Sequence, residues 1–181
     1  MKKIATIHEK DVFPDKIESD DIQYSDRNTG KAIIINNGNM IALIGNKQND
    51  YMLLPGGGID ENEDLQTGVV RECLEEVGYT VSIADEVGVI DDYRPRDKKH
   101  CISYCYIAKV TGGDGIPKYT KDESEVGMYI KWVDPKEALD IFKRQKADLD
   151  KGKVIFYNTG FNILRDLMFL EEAIVLNKMY E

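Results

Sequence analysis

The order of apolar and polar positions along the chain predicts a protein in which strands and helices are mixed. Residues 31–45, KAIIINNGNMIALIG, form two apolar runs joined at Asn37-Gly38, a dipeptide that suits a tight hairpin turn. Further strands are expected at residues 3–7, 79–83, 87–93, 101–110 and 126–133. Helices are expected at residues 63–77, 134–145 and 156–181, the first ended by Gly78 and the second begun by Asp134. Because strands and helices do not alternate regularly, the pattern favours an α/β protein with a mixed sheet flanked by helices.

The size of the chain bounds its organisation. Its 181 residues, 42% of them hydrophobic, are enough for one compact domain with its own core, so we expect a single domain over residues 1–181. Residues 1–30 contain Pro14 and a long polar run. Apart from the short strand at 3–7, they are therefore expected to form an irregular lead-in.

Charge and cysteine content exclude several classes of partner. The formal net charge is −9 and the pI is about 4.8, so a nucleic acid polymer or an anionic membrane would have to approach against the overall field. No run reaches the roughly 18 apolar residues of a membrane span, and the N-terminus lacks the apolar segment of a signal peptide, so a cytoplasmic protein is expected. Cys73, Cys101 and Cys105 lack the paired spacing of metal ligands and are expected to be buried free thiols.

The helix at residues 63–77 has two contrasting arcs. At roughly 100° per residue, the apolar arc predicts the core face and consists of Val69, Val70, Cys73, Leu74 and Val77. The other arc gathers Glu72, Glu75 and Glu76, whose charges the single Arg71 does not neutralise. Carboxylates held this close repel one another and raise each other's pKa unless a cation binds. A hard divalent cation, Mg²⁺ or Mn²⁺, resolves the conflict because it prefers oxygen ligands.

Three consecutive glycines precede this helix. Gly56, Gly57 and Gly58 allow the backbone to approach a metal ion and phosphate groups closely, and to turn a carbonyl group toward the ion. Taken separately, an acidic helix is typical of a solvated surface and a glycine run is typical of a turn. Their combination within residues 53–79 predicts a site for a metal ion and phosphate groups.

The combined segment resembles the Nudix box, G-x5-E-x7-R-E-U-x-E-E-x-G-U, in which U is a bulky apolar residue. The fixed positions are all present, as Gly57, Glu63, Arg71, Glu72, Glu75, Glu76 and Gly78. Cys73 and Tyr79 occupy the two U positions and depart mildly from the usual aliphatic residues. The resemblance implies an α/β/α sandwich with a mixed sheet. It also implies an enzyme that uses a divalent metal ion to hydrolyse the phosphoanhydride of a nucleoside diphosphate linked to another group.

The resemblance assigns roles to the residues of the box. Glu75 and Glu76 are expected to bind the metal ion, Glu72 to act as a ligand or a base, and the carbonyl group of Gly56 or Gly57 to add a further contact. Arg71 and Glu63 are expected to orient these carboxylates through hydrogen bonds, although Arg71 could equally form an ordinary helix salt bridge. A further glutamate from a downstream loop often serves as base or ligand in this family, and here it would be Glu123 or Glu125.

A basic segment, YRPRDKKH at residues 93–100, is the densest cationic patch of this acidic chain. Arg94 and Arg96 are expected to contact the substrate, together with Gly57 and Gly58, and Tyr93 to stack on a base. Lys98 and Lys99 are better explained as an ordinary hairpin tip. His8 and His100 have no ligand partner at a useful spacing and are assigned no chemical role.

The identity of the substrate stays open at the level of sequence. Pro95 lies sixteen residues after Tyr79, a spacing that within the family favours ADP-ribose or another nucleotide sugar. The alternatives are a house-cleaning enzyme for oxidised or non-standard nucleoside triphosphates and a sensor that binds nucleotides without cleaving them. The last helix or the N-terminal lead-in could also form a homodimer interface.

Overall fold

The computed structural model describes residues 1–16 and 21–176. The strands within this part of the chain are β1 Lys3–Ile7, β2 Ser25–Ile35, β3 Ile41–Asn46, β4 Tyr79–Arg94, β5 Lys99–Gly113 and β6 Met128–Val133. The helices are α1 Glu9–Val12, α2 Leu65–Val77, α3 Lys121–Glu125, α4 Pro135–Asp150 and α5 Tyr157–Val175, and a short 3₁₀ helix, Pro95–Asp97, joins β4 to β5.

The six strands form one mixed sheet in the order β1-β4-β5-β2-β3-β6. β2 runs parallel to β5 over its full length, and β1 runs parallel to β4, whereas the other neighbours are antiparallel. Helix α2 packs on one face of the sheet, against residues such as Ala32, Ile34 and Ala108. Helices α1, α4 and α5 cover the other face, where Ile33, Ile107 and their neighbours form the larger core. The expected α/β/α architecture is therefore confirmed.

A gap within this sheet positions the glycine loop. β2 and β3 pair at a single residue pair, Ile35 with Ile41, and then diverge. The segment before α2 fills the gap: Leu53 pairs with Ile44 of β3, while the carbonyl groups of Pro55 and Gly57 accept hydrogen bonds from backbone N–H groups of β2. The glycine loop is thus an integral part of the sheet and not an exposed turn.

Side chains from the helices hold the segment that leads into the glycine loop. Gln145 of α4 donates to the carbonyl group of Met52 at 2.8 Å and accepts from its N–H group at 2.6 Å. The carboxylate of Asp166 in α5 accepts from the N–H group of Leu54 at 2.9 Å. These bonds satisfy backbone groups that this short irregular segment cannot pair within a ladder.

The structure corrects several expected boundaries. β2 begins at Ser25, so residues 25–30 belong to the sheet and the lead-in is less irregular than expected, and α2 begins at Leu65. The two strands expected at 79–83 and 87–93 are one bulged strand, β4. The expected hairpin turn is present, but its positive φ is at Asn39. Residues 17–20 of the lead-in and 177–181 of the last expected helix lie outside the described residues.

Burial agrees with most of the expected core. Val69, Cys73 and Val77 of α2 are buried, but Leu74 is 37% exposed and does not belong to the core face. All three cysteines are buried free thiols, as expected. No helix within the described residues is long and apolar enough to cross a membrane.

Candidate active site

The glycine loop requires glycine for two separate reasons. Gly56 has a φ of 121°, and a Cβ atom there would overlap the carbonyl oxygen of Gly30 in β2. A Cβ atom at Gly57 would overlap the carboxylate of Glu72. At Gly58 the nearest atom would be a guanidinium nitrogen of Arg27 at 3.6 Å, an ordinary contact. The first two glycines therefore allow the loop to approach β2 and α2 closely.

The acidic helix is precisely bounded by its caps. The side chain of Asp64 accepts hydrogen bonds from the N–H groups of Gln66 and Thr67, and Gly78 ends the helix in the left-handed conformation. Gly68 lies within the helix because a side chain there would overlap Ile59 and the carboxylate of Glu63. These constraints fix the position of α2 relative to the glycine loop.

Arg71 connects the acidic helix to the loop. Its guanidinium group donates two hydrogen bonds to Glu63, at 2.9 and 2.8 Å, and others to Glu72 at 2.7 Å and Glu75 at 3.3 Å. It also donates to the carbonyl group of Gly58 at 3.1 Å. The bonds from Arg71 lower the pKa of Glu63 to about 2. Arg71 is therefore more than an ordinary helix salt bridge, because it orients three carboxylates and one carbonyl group.

Glu72 and Glu76 differ from Glu75 in their surroundings. The Glu75 side chain is 46% exposed, whereas that of Glu72 is 14% exposed. Burial raises the pKa of Glu72, against the opposing effect of Arg71. Burial also raises the pKa of Glu76, whose carboxylate accepts from the N–H group of Gly56 at 2.5 Å. Two of the three carboxylates are thus held at the inner side of the helix, where they are poorly solvated.

A buried lysine on β2 faces the same loop. Lys31 is 7% exposed, and its ammonium group donates to the carbonyl oxygen of Gly56. Its charge favours the ionised forms of Glu76 and Glu72, although burial lowers the pKa of Lys31 itself. The position beside the Gly56 carbonyl group therefore already accommodates a positive charge.

The two downstream glutamates occupy different positions. Glu123 lies within α3, and its carboxylate accepts from the N–H group of Thr120, just before the helix, at 2.7 Å. Its charge contributes to the raised pKa of Glu76. Glu125 is 64% exposed and pairs with Lys121 at 3.7 Å, one helical turn away. The two glutamates are therefore not equivalent, and Glu123 is the one that lies near Glu76.

The donor set fits a hard divalent cation. Carboxylates of Glu72, Glu75 and Glu76 and the Gly56 carbonyl group could supply oxygen ligands, which Mg²⁺ and Mn²⁺ prefer. The hydroxyl group of Tyr119 is buried without a hydrogen-bond partner among the described residues, and the charges of Glu76 and Glu123 raise its pKa in addition to the effect of burial. An unpaired buried hydroxyl group beside two carboxylates is suited to an additional polar ligand.

The three glutamates do not converge as expected. Among residues 1–16 and 21–176, no three His, Cys, Asp or Glu side chains are grouped closely enough for a ready metal site. Glu72 and Glu75 are turned toward Arg71, and Glu76 is turned toward the Gly56 N–H group. Glu72 and Glu75 share one guanidinium nitrogen of Arg71, whereas Glu76 is held by a separate donor, so the three carboxylates are not drawn to one point.

A cationic cleft of about 230 Å³ lies beside the glycine loop, between the sheet and the start of α5. Its lining residues are Arg27, Thr29 and Lys31 of β2, Gly56 and Gly57, Arg94, Cys101, and Asn158, Asn162 and Arg165 of α5. The alternation of a strand places the β2 side chains at positions 27, 29 and 31 on the α5 face of the sheet. The cleft thus combines four basic side chains in a protein with a net charge of −9.

Arg94 lines this cleft, and its bonds within the protein use four of the five N–H donors of its guanidinium group. It donates to Asp92 at 2.5 Å, to Asn158 at 3.1 Å and to Asn162 at 3.0 Å, and it lies 5.1 Å from the centre of the Phe161 ring. In the structure, Arg94 orients the side-chain amides of Asn158 and Asn162 in α5. The expected contact between Arg94 and the substrate stays a prediction.

The structure argues against two other expected substrate contacts. His8 and His100 stack on the two faces of the Tyr93 ring, at centroid distances of 5.5 and 4.4 Å, which leaves no face for a base. Arg96 is exposed and lies over the ring of Tyr157, outside the residues that line the cleft. Neither residue is therefore retained in the proposed site.

Several cleft residues escaped the sequence analysis. Arg27, Thr29 and Lys31 alternate along β2, a signal that was lost because the strand was expected to begin at position 31. Asn158, Asn162 and Arg165 recur at spacings of four and three along α5, which is the spacing of one helix face. Both patterns are visible in the sequence, but neither identifies a cleft until the sheet and α5 are placed together.

The fold is an α/β/α sandwich in which an acidic helix and a cationic cleft lie beside the glycine loop. Residues 27–157 match the sequence model of the NUDIX domain. A Bacillus subtilis (strain 168) protein, provisionally assigned as an 8-oxo-dGTP diphosphatase, is 30% identical over 66% of this chain and 77% of its own length. An ADP-ribose pyrophosphatase of Methanocaldococcus jannaschii is 34% identical over 45% of this chain and 50% of its own. The MutT protein of Methanosarcina mazei Go1 has the same fold, with a TM-score of 0.52 and 20% identity over 74% of this chain and 99% of its own.

The chain belongs to the Nudix family and is a Nudix hydrolase. Members of this family act on nucleotide-derived small molecules and generally need a divalent metal ion. The enzymatic assignment replaces the alternative of a sensor that binds without cleaving.

Proposed function

We propose that this protein hydrolyses the phosphoanhydride of a nucleoside diphosphate linked to another group, with Mg²⁺ or Mn²⁺ as its cofactor. The observation that carries the proposal is the arrangement of Glu72, Glu75 and Glu76 around Arg71 and the Gly56 peptide group. This arrangement concentrates negative charge beside a loop whose backbone can approach phosphate groups.

The proposed ligands are the carboxylates of Glu72, Glu75 and Glu76 and the carbonyl group of Gly56. Both carbonyl groups already accept a hydrogen bond, Gly57 from the backbone N–H group of Gly30 at 2.9 Å and Gly56 from the Lys31 side chain. Gly56 is proposed because a side chain can turn away from it, whereas the bond at Gly57 belongs to the sheet. A divalent ion bound there would neutralise charge on the diphosphate and lower the pKa of an attacking water molecule. Glu72 and Glu75 would bind the ion through the carboxylate oxygens that do not accept from Arg71, so that Arg71 stays bonded to both.

The protein's own residues would position and activate the reactants. Glu123 lies near Glu76 and is proposed to accept the proton of the attacking water at its carboxylate. Lys31 is proposed to donate from its ammonium group to a phosphate oxygen, since that group already faces the glycine loop. Arg71 and Glu63 would keep the ligating carboxylates oriented.

Two substrate classes remain candidates. ADP-ribose or another nucleotide sugar is favoured by Pro95 and by the similarity to the M. jannaschii ADP-ribose pyrophosphatase. A non-standard nucleoside triphosphate is favoured by the activity assigned to the B. subtilis relative, which covers more of this chain. Both classes contain a phosphoanhydride adjacent to a nucleoside, so the same metal site would serve either.

A substrate panel tests the proposed function. Wild type and Glu76→Gln are assayed with ADP-ribose, nucleotide sugars and nucleoside triphosphates in Mg²⁺ or Mn²⁺, with products identified by ³¹P NMR. Wild type is expected to cleave at least one of them at the phosphoanhydride, and the variant to lose this activity while retaining its circular dichroism spectrum. Near-normal turnover by the variant would overturn the assignment.

A further inference from the structure

We propose that the cleft between β2 and α5 is a subsite for a phosphate group other than the two that share the scissile bond. The inference rests on the proposed function and refines it. The group linked to the nucleoside diphosphate would itself carry phosphate, as it does in a nucleoside triphosphate. The cleft is rich in hydrogen-bond donors, carries basic residues and has no aromatic side chain among the described residues that line it.

The two asparagine amides of α5 present donors to the cleft. Arg94 donates to the Oδ1 atoms of both Asn158 and Asn162. An amide whose oxygen is bound to a guanidinium group has its NH₂ group directed elsewhere, so these bonds fix the orientation of both side chains. Neither NH₂ group forms a hydrogen bond within the described part of the chain. Arg94 therefore acts on the cleft by aligning two amide donors.

The three other basic residues of the cleft also offer hydrogen-bond donors. Arg165 donates from Nε to the Asp166 carboxylate at 2.8 Å. Its two terminal nitrogens form no hydrogen bond with another described residue. Arg27 is exposed and forms no ion pair with another described residue. Lys31 uses one of its three N–H donors on the Gly56 carbonyl group. The cleft thus offers many donors and few free acceptors, which complements the oxygen atoms of phosphate.

The charge of the cleft also favours an anion. Asp92 and Asp166, each 0% exposed, lie beneath Arg94 and Arg165 and offset two of the four basic residues. Arg27 and Lys31 remain, and of these two Lys31 also lies in the field of the Asp166 and Glu76 carboxylates. A phosphate group that entered this cleft would therefore meet a local positive charge, although the protein as a whole is acidic.

The lining residues do not suit a nucleobase. Pockets for bases are typically apolar and provide aromatic rings for stacking. Among the described residues that line this cleft, none is aromatic, and Cys101 is the least polar side chain. The base is therefore expected to lie outside the cleft, with a phosphate of the linked group inside it.

Calorimetric binding of inorganic tripolyphosphate in EDTA tests the subsite without metal ions or turnover. The informative variants are Asn162→Asp, which replaces the NH₂ donor by an acceptor while Arg94 keeps an oxygen partner, and Arg27→Met, an exposed change that spares the core. Each is expected to weaken binding about tenfold or more. The matched control is Gln48→Glu, an amide-to-carboxylate change of equal charge at an exposed turn, which is expected to bind as wild type does.

Kinetics then distinguish a third phosphate from the scissile pair. In Asn162→Asp, kcat/KM is expected to fall about tenfold or more for a nucleoside triphosphate and to change little for ADP-ribose. Equal losses for both substrates would overturn the proposal, because the cleft would then hold the scissile diphosphate. Unchanged tripolyphosphate binding in both variants would also overturn it. If wild type bound no divalent metal ion or cleaved no substrate, the proposed function would be wrong. The tripolyphosphate binding measured in EDTA would still test the subsite.

Discussion

At the scale of single residues, neighbouring glycines of the loop differ in whether they can be replaced by a residue with a side chain. Gly57→Ala places a methyl group where the Glu72 carboxylate lies, whereas Gly58→Ala makes only an ordinary contact with Arg27. Because displaced groups around a metal ion typically cost roughly 10–100-fold in affinity, Gly57→Ala is expected to weaken Mn²⁺ binding by that factor. Gly58→Ala is expected to bind Mn²⁺ as wild type does. Calorimetric titration of both variants measures the difference, and equal affinities would contradict the proposed position of Glu72.

Glu123 and Glu125 provide a second comparison at this scale. Glu123→Gln is expected to lower kcat by roughly 10²–10⁴-fold, the usual contribution of a general base, because Glu123 lies near Glu76. Glu125→Gln removes only an exposed pair with Lys121 and is expected to leave kcat nearly unchanged. Steady-state kinetics on the best substrate decide between them. A larger loss from the Glu125 substitution would reverse the assignment.

The pairing of Glu63 with Arg71 predicts how stability responds to acid. Its pKa is lowered from an ordinary value of 4.5 to about 2, so the folded state binds this proton less readily than the unfolded state. The stabilisation is therefore fully present above pH 4.5 and is lost as the pH falls toward 2. Urea unfolding of wild type and Glu63→Gln in EDTA should show a stability difference at pH 7 that shrinks across this interval. A difference independent of pH would contradict the ion pair.

At the scale of elements, the helices on the α5 face support the active-site loop. The Gln145 side chain bonds to both the N–H group and the carbonyl group of Met52. Gln145→Leu would leave these two buried backbone groups without partners. The expected loss of folding free energy is about 3 kcal/mol, since an unsatisfied buried polar group costs roughly 1–3 kcal/mol. Urea denaturation measures it. The exposed control Gln48→Leu should change stability by less than about 0.5 kcal/mol, and a similarly small effect at Gln145 would contradict this role.

Sequence patterns at this scale located α2 and its C-terminal cap because those signals were local. The carboxylate spacing and Gly78 act within a few residues, whereas the Asp64 cap was not identified and the helix was expected to begin at Glu63. β2 was harder, because its first half is polar and lies beside β5 through long-range parallel pairing, which local alternation does not report. The insertion of the glycine loop between β2 and β3 likewise depends on where the strands diverge. Arg94 shows the same limit: its basic character was visible, but its bonds to α5 were not.

At the scale of the whole molecule, the sheet separates two charged regions. The acidic helix α2 covers one face, and the cationic cleft lies on the α5 face, with the glycine loop between them. This separation would allow a protein with a net charge of −9 to receive the proposed polyanionic substrate, since the local field at the cleft opposes the overall one. The homodimer and the cytoplasmic location stay predictions.

Titration of Mn²⁺ into metal-free protein, followed by electron paramagnetic resonance, tests the central claim most directly. That claim is that Glu72, Glu75, Glu76 and the Gly56 carbonyl group bind a divalent cation. Wild type is expected to bind Mn²⁺ with saturation, and Glu76→Gln to lose that binding while its circular dichroism spectrum is unchanged. Equal Mn²⁺ affinity in wild type and the folded Glu76→Gln variant would contradict the account.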